Sequence, residues 1–389
     1  MVVHAYYPLG ETRVQREAAA LVDRGWEVDV VCLRWRGEVS RETVDGVTVH
    51  RLPVRRHRGT GMLAQMFEYL AFFVLAGFTL TRLHISKRFH TVQVHNLPDF
   101  LVFSALVPKA MGARIVLDLH DLMPELYTAK TGAGLNGPLA RVLRLQERIA
   151  ARFADHVITV TAGWRDTLIG RGVHPNKVSV VMNLADPKVF PPRRFNSKDA
   201  EGLTLVYHGT FASRYGVDVI VRALSELRDE VPRARLMLLG DGETRQELVE
   251  LIGVLGIEDR VELSKGMVDT TELPDLLASA DVGVVPNRSN VFTEEILPTK
   301  LLEYVAMGIP VIAARTHTVS KYFDEEMVEF FRPGDVDDLA DRIRGLDKDR
   351  DRLKDLSRNA AAFNRVYDWA SAASDYADLM ESMADRERS

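Results

Sequence analysis

The pattern of residues best suited to chemistry runs from Glu295 to Ala313, E-I-L-P-T-K-L-L-E-Y-V-A-M-G-I-P-V-I-A. Pro298 can open a helix, Gly308 can close it in the left-handed conformation, and Pro310 bars its continuation into the next strand. The segment Thr299 to Met307 is therefore expected to form a short helix. The N–H groups around Thr299, Lys300 and Leu301 would carry the positive end of the helix dipole, which suits a diphosphate, and Lys300 adds a full charge there. Glu303, one turn in, could accept both hydroxyls of a ribose, while Glu295, ahead of the helix, could reach a donor sugar. Glu294 adjoins Glu295, so either could approach the sugar. Without its surroundings such a glutamate pair would read as two solvated charges.

Further candidates fall where strand-like runs end. His120, in Asp118-Leu119-His120-Asp121, ends one run, where its side chain can project outward and Asp118 and Asp121 could orient its ring. His95-Asn96 ends another and is a candidate for acceptor contact. Gly10, in Pro8-Leu9-Gly10-Glu11, could let backbone approach a diphosphate, and is otherwise an ordinary turn glycine.

Elements must hold these residues in place. Val28 to Leu33, Val92 to Val94, Arg114 to Leu119 and His156 to Thr161 read as strands, with helical patterns between them. A second series follows at Leu203 to Tyr207, Ala234 to Leu239, Arg260 to Leu263, Val282 to Pro286 and Pro310 to Ala313. Near-continuous apolar strands separated by helices predict parallel sheets covered on both faces, the doubly wound α/β architecture. Residues 186–200, rich in proline and charge, divide the chain into an N-terminal domain 1–185 and a C-terminal domain 201–368, with a C-terminal helix 369–389 that could cross back to the first. Ligands of open α/β sheets bind beyond the carboxyl ends of strands, so a cleft between two Rossmann-like domains is the expected site.

Several segments together resemble the retaining glycosyltransferases of family 4, which have the GT-B fold. Glu295 to Glu303 is similar to their E-x7-E motif, in the variant with P-S/T-K before the second glutamate. The run from Ala154 to Phe190, and the stretch from Gly240 to Pro286 with G-D-G-E, L-G-I-E-D-R-V and L-P-D-L-L-A-S-A-D-V-G-V-V-P, resemble the family elsewhere. The resemblance spans nearly the whole chain and is weakest from Val54 to His90. It implies that His120 is the histidine that meets the transferred sugar, that His208-Gly209-Thr210-Phe211-Ala212-Ser213-Arg214-Tyr215-Gly216 is the phosphate loop, and that the nucleobase meets backbone near Met267. Many members carry arginine after the first glycine of that loop and lysine before the second, where this chain has Thr210 and Tyr215. Arg214 and Lys300 are then the nearest countercharges. The resemblance also implies a retaining mechanism with no dedicated metal, and no Asp-x-Asp motif is visible near the site; UDP is the expected nucleotide.

Composition narrows the alternatives. A net charge of −5 and a pI near 6.2 argue against a nucleic-acid partner. Cys32 is the single cysteine, which excludes an internal disulfide and fits a reducing cytosol, and no export signal is visible. A nicotinamide-dependent dehydrogenase would share the doubly wound fold, but G-x-G-x-x-G is missing after the first strand. A catalytically silent nucleotide-sugar-binding protein is the other alternative. The apolar segment 62–83 is interrupted by Glu68 and Arg82, so it is not expected to cross a bilayer. It reads either as a buried helix or as a lipid-facing one, flanked by Arg55, Arg56, Arg58, Lys87 and Arg88, that would bring the site to a lipid-linked acceptor at the inner face of the membrane.

Overall fold

The computed structural model describes residues 1–8, 11–56, 62–132, 134–193 and 202–385. Two units divide the chain, Met1–Asn183 with Ala370–Ser389 and Leu184–Trp369.

The first unit is built in the order β1 (Val2–Tyr6), α1 (Thr12–Asp23), β2 (Val28–Leu33), β3 (Arg41–Val44), β4 (Val47–Leu52), α2 (Met62–Lys87), β5 (Thr91–His95) and α3 (Leu106–Ala110). It continues with β6 (Arg114–Leu119), α4 (Met123–Thr131), α5 (Pro138–Phe153), β7 (His156–Thr159), α6 (Ala162–Gly170) and β8 (Val178–Val180). The eight strands lie in the order β3-β4-β2-β1-β5-β6-β7-β8. All pairs are parallel except β3 with β4, where Val44 faces Val47 across a turn through Asp45 and Gly46, both at positive φ. Alternating strands and crossover helices give this order because helices must cover both apolar faces of β2 and β6, which are buried almost throughout.

In the second unit the order is β9 (Thr204–Thr210), α7 (Val217–Glu226), β10 (Arg235–Asp241), α8 (Arg245–Leu255), β11 (Val261–Leu263), α9 (Leu273–Leu277) and β12 (Val282–Val285). Then come α10 (Thr299–Ala306), β13 (Val311–Ala314), α11 (Val319–Tyr322), β14 (Glu329–Phe331), α12 (Val336–Lys348) and α13 (Arg350–Val366). Its six strands lie in the order β11-β10-β9-β12-β13-β14, all parallel. The last helix, α14 (Trp369–Asp385), sends Tyr376, Ala377, Met380 and Met383 into the core of the first unit beside Val14, Ala18 and Leu21 of α1.

Helix α2 departs from the expectation of a helix buried on all sides. Its 26 residues are long and apolar enough, by length and composition, to cross a membrane, despite Glu68 and Arg82. Yet it is docked on the first sheet. Phe72, Ala76, Leu80 and His84, spaced four apart, are buried, and Glu68 joins the same stripe through His4 Nε2 at 2.9 Å. The opposite face carries Leu63, Phe67, Leu70, Val74 and Phe78, of which Phe67 is 72% exposed and Phe78 70%. A helix that is apolar all round is therefore not buried all round; two separate stripes share it.

Candidate nucleotide-sugar and acceptor sites

The phosphate-binding features of the second unit gather at the carboxyl end of β9. Gly209 sits at φ +111, a conformation that favours glycine, and the Lys300 side chain lies against this backbone. Lys300, the second residue of α10, is 9% exposed. Its Nζ lies 4.9 Å from the ring centres of both Tyr207 and Tyr215, a cation between two π faces. Burial lowers its pKa to about 8, Arg214 pushes the same way, and Glu303 opposes them. No carboxylate comes within ion-pair distance of it among the described residues. The Arg214 guanidinium lies over the Tyr215 ring at 4.6 Å and 3.7 Å from Glu243, while its buried Nε has no hydrogen-bond partner among the described residues.

The start of α10 differs from expectation in one respect. Leu301 donates its N–H to Pro298 O at 3.0 Å, and its side chain is fully buried. Only Thr299 and Lys300 keep N–H groups for a ligand, so Leu301 is a packing residue. Gly308, at φ +74, ends the segment as expected.

Glu303 and His208 are coupled. Glu303 Oε2 lies 2.6 Å from His208 Nε2, and His208 Nδ1 lies 2.9 Å from the Tyr304 hydroxyl. An ionised carboxylate can only accept, so Nε2 carries a proton, and the Tyr304 hydroxyl also donates to Val206 O at 3.2 Å. The Tyr304 ring fits because position 283 is glycine: a Cβ there would lie 2.4 Å from it. His208 is visible in the sequence as the residue ending an apolar run, but nothing there links it to a glutamate 95 residues away.

Ahead of the helix the two neighbouring glutamates separate. Glu294 Oε2 accepts the N–H of His317 at 2.7 Å, whereas Glu295 is half-buried and forms no side-chain hydrogen bond or ion pair among the described residues. Asn287, in the loop after β12, is 1% exposed with neither amide atom partnered among the described residues. Nothing in the sequence marks it; a buried, orphaned amide beyond a strand's carboxyl end is a binding-group signature only the fold displays. Met267 is 67% exposed in the loop after β11, two strands from β9. Gly10 lies outside the described residues.

In the first unit His120 follows β6. Its Nε2 is bonded to the Asn96 carbonyl, which fixes a proton on Nε2. Burial pulls its pKa down, but Glu11, Asp118 and Asp121 together outweigh it, and the net shift is upward. Asn96 clamps the same loop, its Oδ1 accepting His120 N–H at 3.1 Å and its Nδ2 donating to Asp99 at 3.0 Å.

The structure corrects two expectations in this unit. His95 and Asn96 are 0% and 3% exposed, so an acceptor cannot touch their side chains; they position the His120 loop from within. Asp118 does not orient His120. His95 Nδ1 lies 3.0 Å from Asp118 Oδ2, and Arg13 donates two bonds to this carboxylate, at 2.8 and 3.0 Å. Although burial opposes ionisation, Arg13 and His95 hold the Asp118 carboxyl far below the usual range, and burial raises Glu17 to about 8. Arg13, also bonded to Val181 O and Asn183, escapes a sequence reading because its partner is 105 residues distant. The ligand atoms of Glu17, His95 and Asp118 lie within 4.8 Å of one another, as a metal site would require. Arg13 already supplies the cation there, 3.1 Å from Glu17.

Comparison with known proteins agrees with this layout. Residues 10–183 match the family model described as Glycosyl transferase 4-like domain, and residues 191–363 match Glycosyl transferases group 1. The chain is 27% identical over 289 residues to the sulfoquinovosyl transferase SQD2 of Arabidopsis thaliana, covering 71% of this chain and 53% of that one, so it spans about half of that relative's length. Sucrose-phosphate synthase of Thermosynechococcus elongatus superposes with a TM-score of 0.76 at 19% identity, covering 96% of this chain and 92% of the other. HepE of Anabaena, in complex with UDP and glucose, gives 0.73 at 17% identity over 98% of both chains. Two parallel Rossmann-like units, each matched to its own family along almost its full length, place this protein among the GT-B glycosyltransferases, with a glycosyl transferase 4-like domain followed by a group 1 domain.

Proposed function

We propose that the chain is a retaining hexosyltransferase that uses a nucleoside diphosphate sugar, UDP-linked, and glycosylates a lipid-linked saccharide for cell-surface polysaccharide or glycolipid assembly. The second unit carries the donor and the first unit the acceptor. The observation that carries the reading is Lys300: a buried cation with no counter-charge in ion-pair reach, beside the free N–H groups at the start of α10 and one turn from Glu303. Such an arrangement is costly without a bound anion and suited to a diphosphate. HepE, similar in fold and solved in complex with UDP and glucose, supports the choice of nucleotide.

In this reading the bond from the anomeric carbon to the phosphate oxygen breaks, and the nucleoside diphosphate leaves with the electron pair. Lys300, Arg214 and the helix N–H groups stabilise that charge. The acceptor hydroxyl attacks on the face just vacated and passes its proton to the departing phosphate. Glu295 holds the sugar, His120 Nδ1 accepts from a sugar hydroxyl, and Glu303, steadied by His208, binds the ribose. The reaction uses no dedicated metal ion. The enzyme works in the cytoplasm with the exposed stripe of α2 on the membrane's anionic inner leaflet, where Arg55, Arg56 and Arg88 flank it.

Purified protein incubated with UDP-sugars in chelator, with UDP release measured and product configuration read by NMR, tests the reaction. Retained configuration supports it; inversion, or strict dependence on a divalent ion, contradicts it. A silent nucleotide-sugar binder is favoured by Thr210 and Tyr215, which replace the phosphate-loop cations of many relatives. Saturable donor binding with neither hydrolysis nor transfer would decide for that reading.

A further inference from the structure

A second concave site lies wholly within the first unit. A cavity of about 750 Å³ opens where β1, β2 and β4 end, lined by Tyr6, Arg34, Trp35, Arg36, Arg55 and Arg56. Its volume falls in the range of small-molecule sites, roughly 300 to 1,000 Å³. Tyr6 and Trp35 meet edge to face, ring centres 4.8 Å apart, and leave Trp35 47% exposed.

The charge balance here is one-sided. Glu38, the one acid in the lining, accepts the Trp35 N–H at 2.7 Å and is paired with Arg51 at 3.0 Å. Arg51 is itself also bound by Glu42 at 2.6 Å. Among the described residues none of Arg34, Arg36, Arg55 and Arg56 forms an ion pair, so four arginines without a counter-charge line one cavity of a chain whose net charge is −5. Solvated arginines normally spread apart. A cluster beside an exposed indole offers forked donors for a doubly charged oxyanion and a flat apolar face for a sugar or chain.

We propose that this pocket binds the phosphate group of the acceptor, an inference that rests on the first unit being the acceptor side. From β2 to β6, which leads into His120, the sheet order crosses three strand spacings, roughly 14 Å. The phosphate thus lies about two sugar units away from the hydroxyl that reacts. Two sources share this chemistry: a phosphate carried on lipid, and a soluble sugar phosphate.

Trp35 provides the readout. Intact protein is titrated with octyl phosphate, glucose 1-phosphate and neutral octyl glucoside while tryptophan fluorescence is followed, with Trp35→Phe to assign the signal. A saturable change from either phosphate, abolished in Trp35→Phe, is expected; the tighter of the two identifies the source. Each of the pairs Arg34→Gln with Arg36→Gln, and Arg55→Gln with Arg56→Gln, should weaken it roughly tenfold or more, with an unaltered melting curve. Lys300→Gln should leave it intact. Unchanged affinity in both arginine pairs, an equal response to octyl glucoside, or no response to either phosphate overturns the proposal. UDP titration of the same protein separates the two readings. Phosphate binding without UDP binding removes the transferase reading and leaves the pocket, and the converse removes the pocket alone.

Discussion

Lys300 makes donor binding depend on pH in a way few other side chains could. Its folded-state pKa is lowered from 10.5 to about 8, with burial as the largest cause. A lysine with a depressed pKa opposes folding below that value, because the cation must be buried, and stability recovers as pH rises from about 8 to 10.5. At neutral pH the cost is on the order of 3 kcal/mol, offset in part by the rings of Tyr207 and Tyr215. A bound diphosphate reverses the balance by supplying the missing anion, so the bound lysine keeps its proton. Binding above about pH 8 must then take up a proton, and the dissociation constant should rise roughly fivefold between about pH 8 and 9. Uracil also ionises in alkali, so the comparison is with Lys300→Arg, whose cation persists throughout. Calorimetry in buffers of differing ionisation enthalpy measures proton uptake directly. Lys300→Met should unfold at a higher temperature than the wild type in the absence of donor, yet fail to bind it. Equal pH dependence in wild type and Lys300→Arg, or no proton uptake at about pH 8.5, would refute the reasoning.

Other variants probe the remaining contacts. Glu303→Ala should weaken donor binding by roughly 1.5 to 3 kcal/mol in calorimetry, and His208→Ala should reproduce part of that loss by freeing the carboxylate. His120→Ala and Glu295→Gln should cut kcat about a hundredfold with donor affinity nearly unchanged; normal turnover in both would remove them from the reacting end. Arg13→Leu leaves Asp118 buried without its main partner and should cost roughly 3 to 5 kcal/mol in urea unfolding. In liposome sedimentation, Phe67→Ser with Phe78→Ser should abolish binding to anionic vesicles, and binding that survives would free α2 of that role.

Local punctuation is readable in the sequence where it fixes geometry. Pro298, Gly308 and Pro310 bound α10 to within a residue, and the apolar runs locate nine strands, because a doubly wound sheet buries its strands continuously. The β3–β4 hairpin escapes that reading although Asp45-Gly46 announces its turn; β3 is short and exposed, so no apolar run marks it. The partial burial of α2 is hidden because composition averages two stripes that differ only in angle around the helix. Pairings such as Arg13 with Asp118 and His208 with Glu303 depend on strand order, which periodicity does not encode.

The most direct test of donor binding is calorimetric titration of the purified chain with UDP-glucose and a panel of other nucleotide sugars, beside Glu303→Ala and Lys300→Met. Saturable binding of at least one nucleoside diphosphate sugar, weakened in the first variant and lost in the second, is the expected result. Binding of none, or undiminished binding in Lys300→Met, would contradict a diphosphate site at the start of α10.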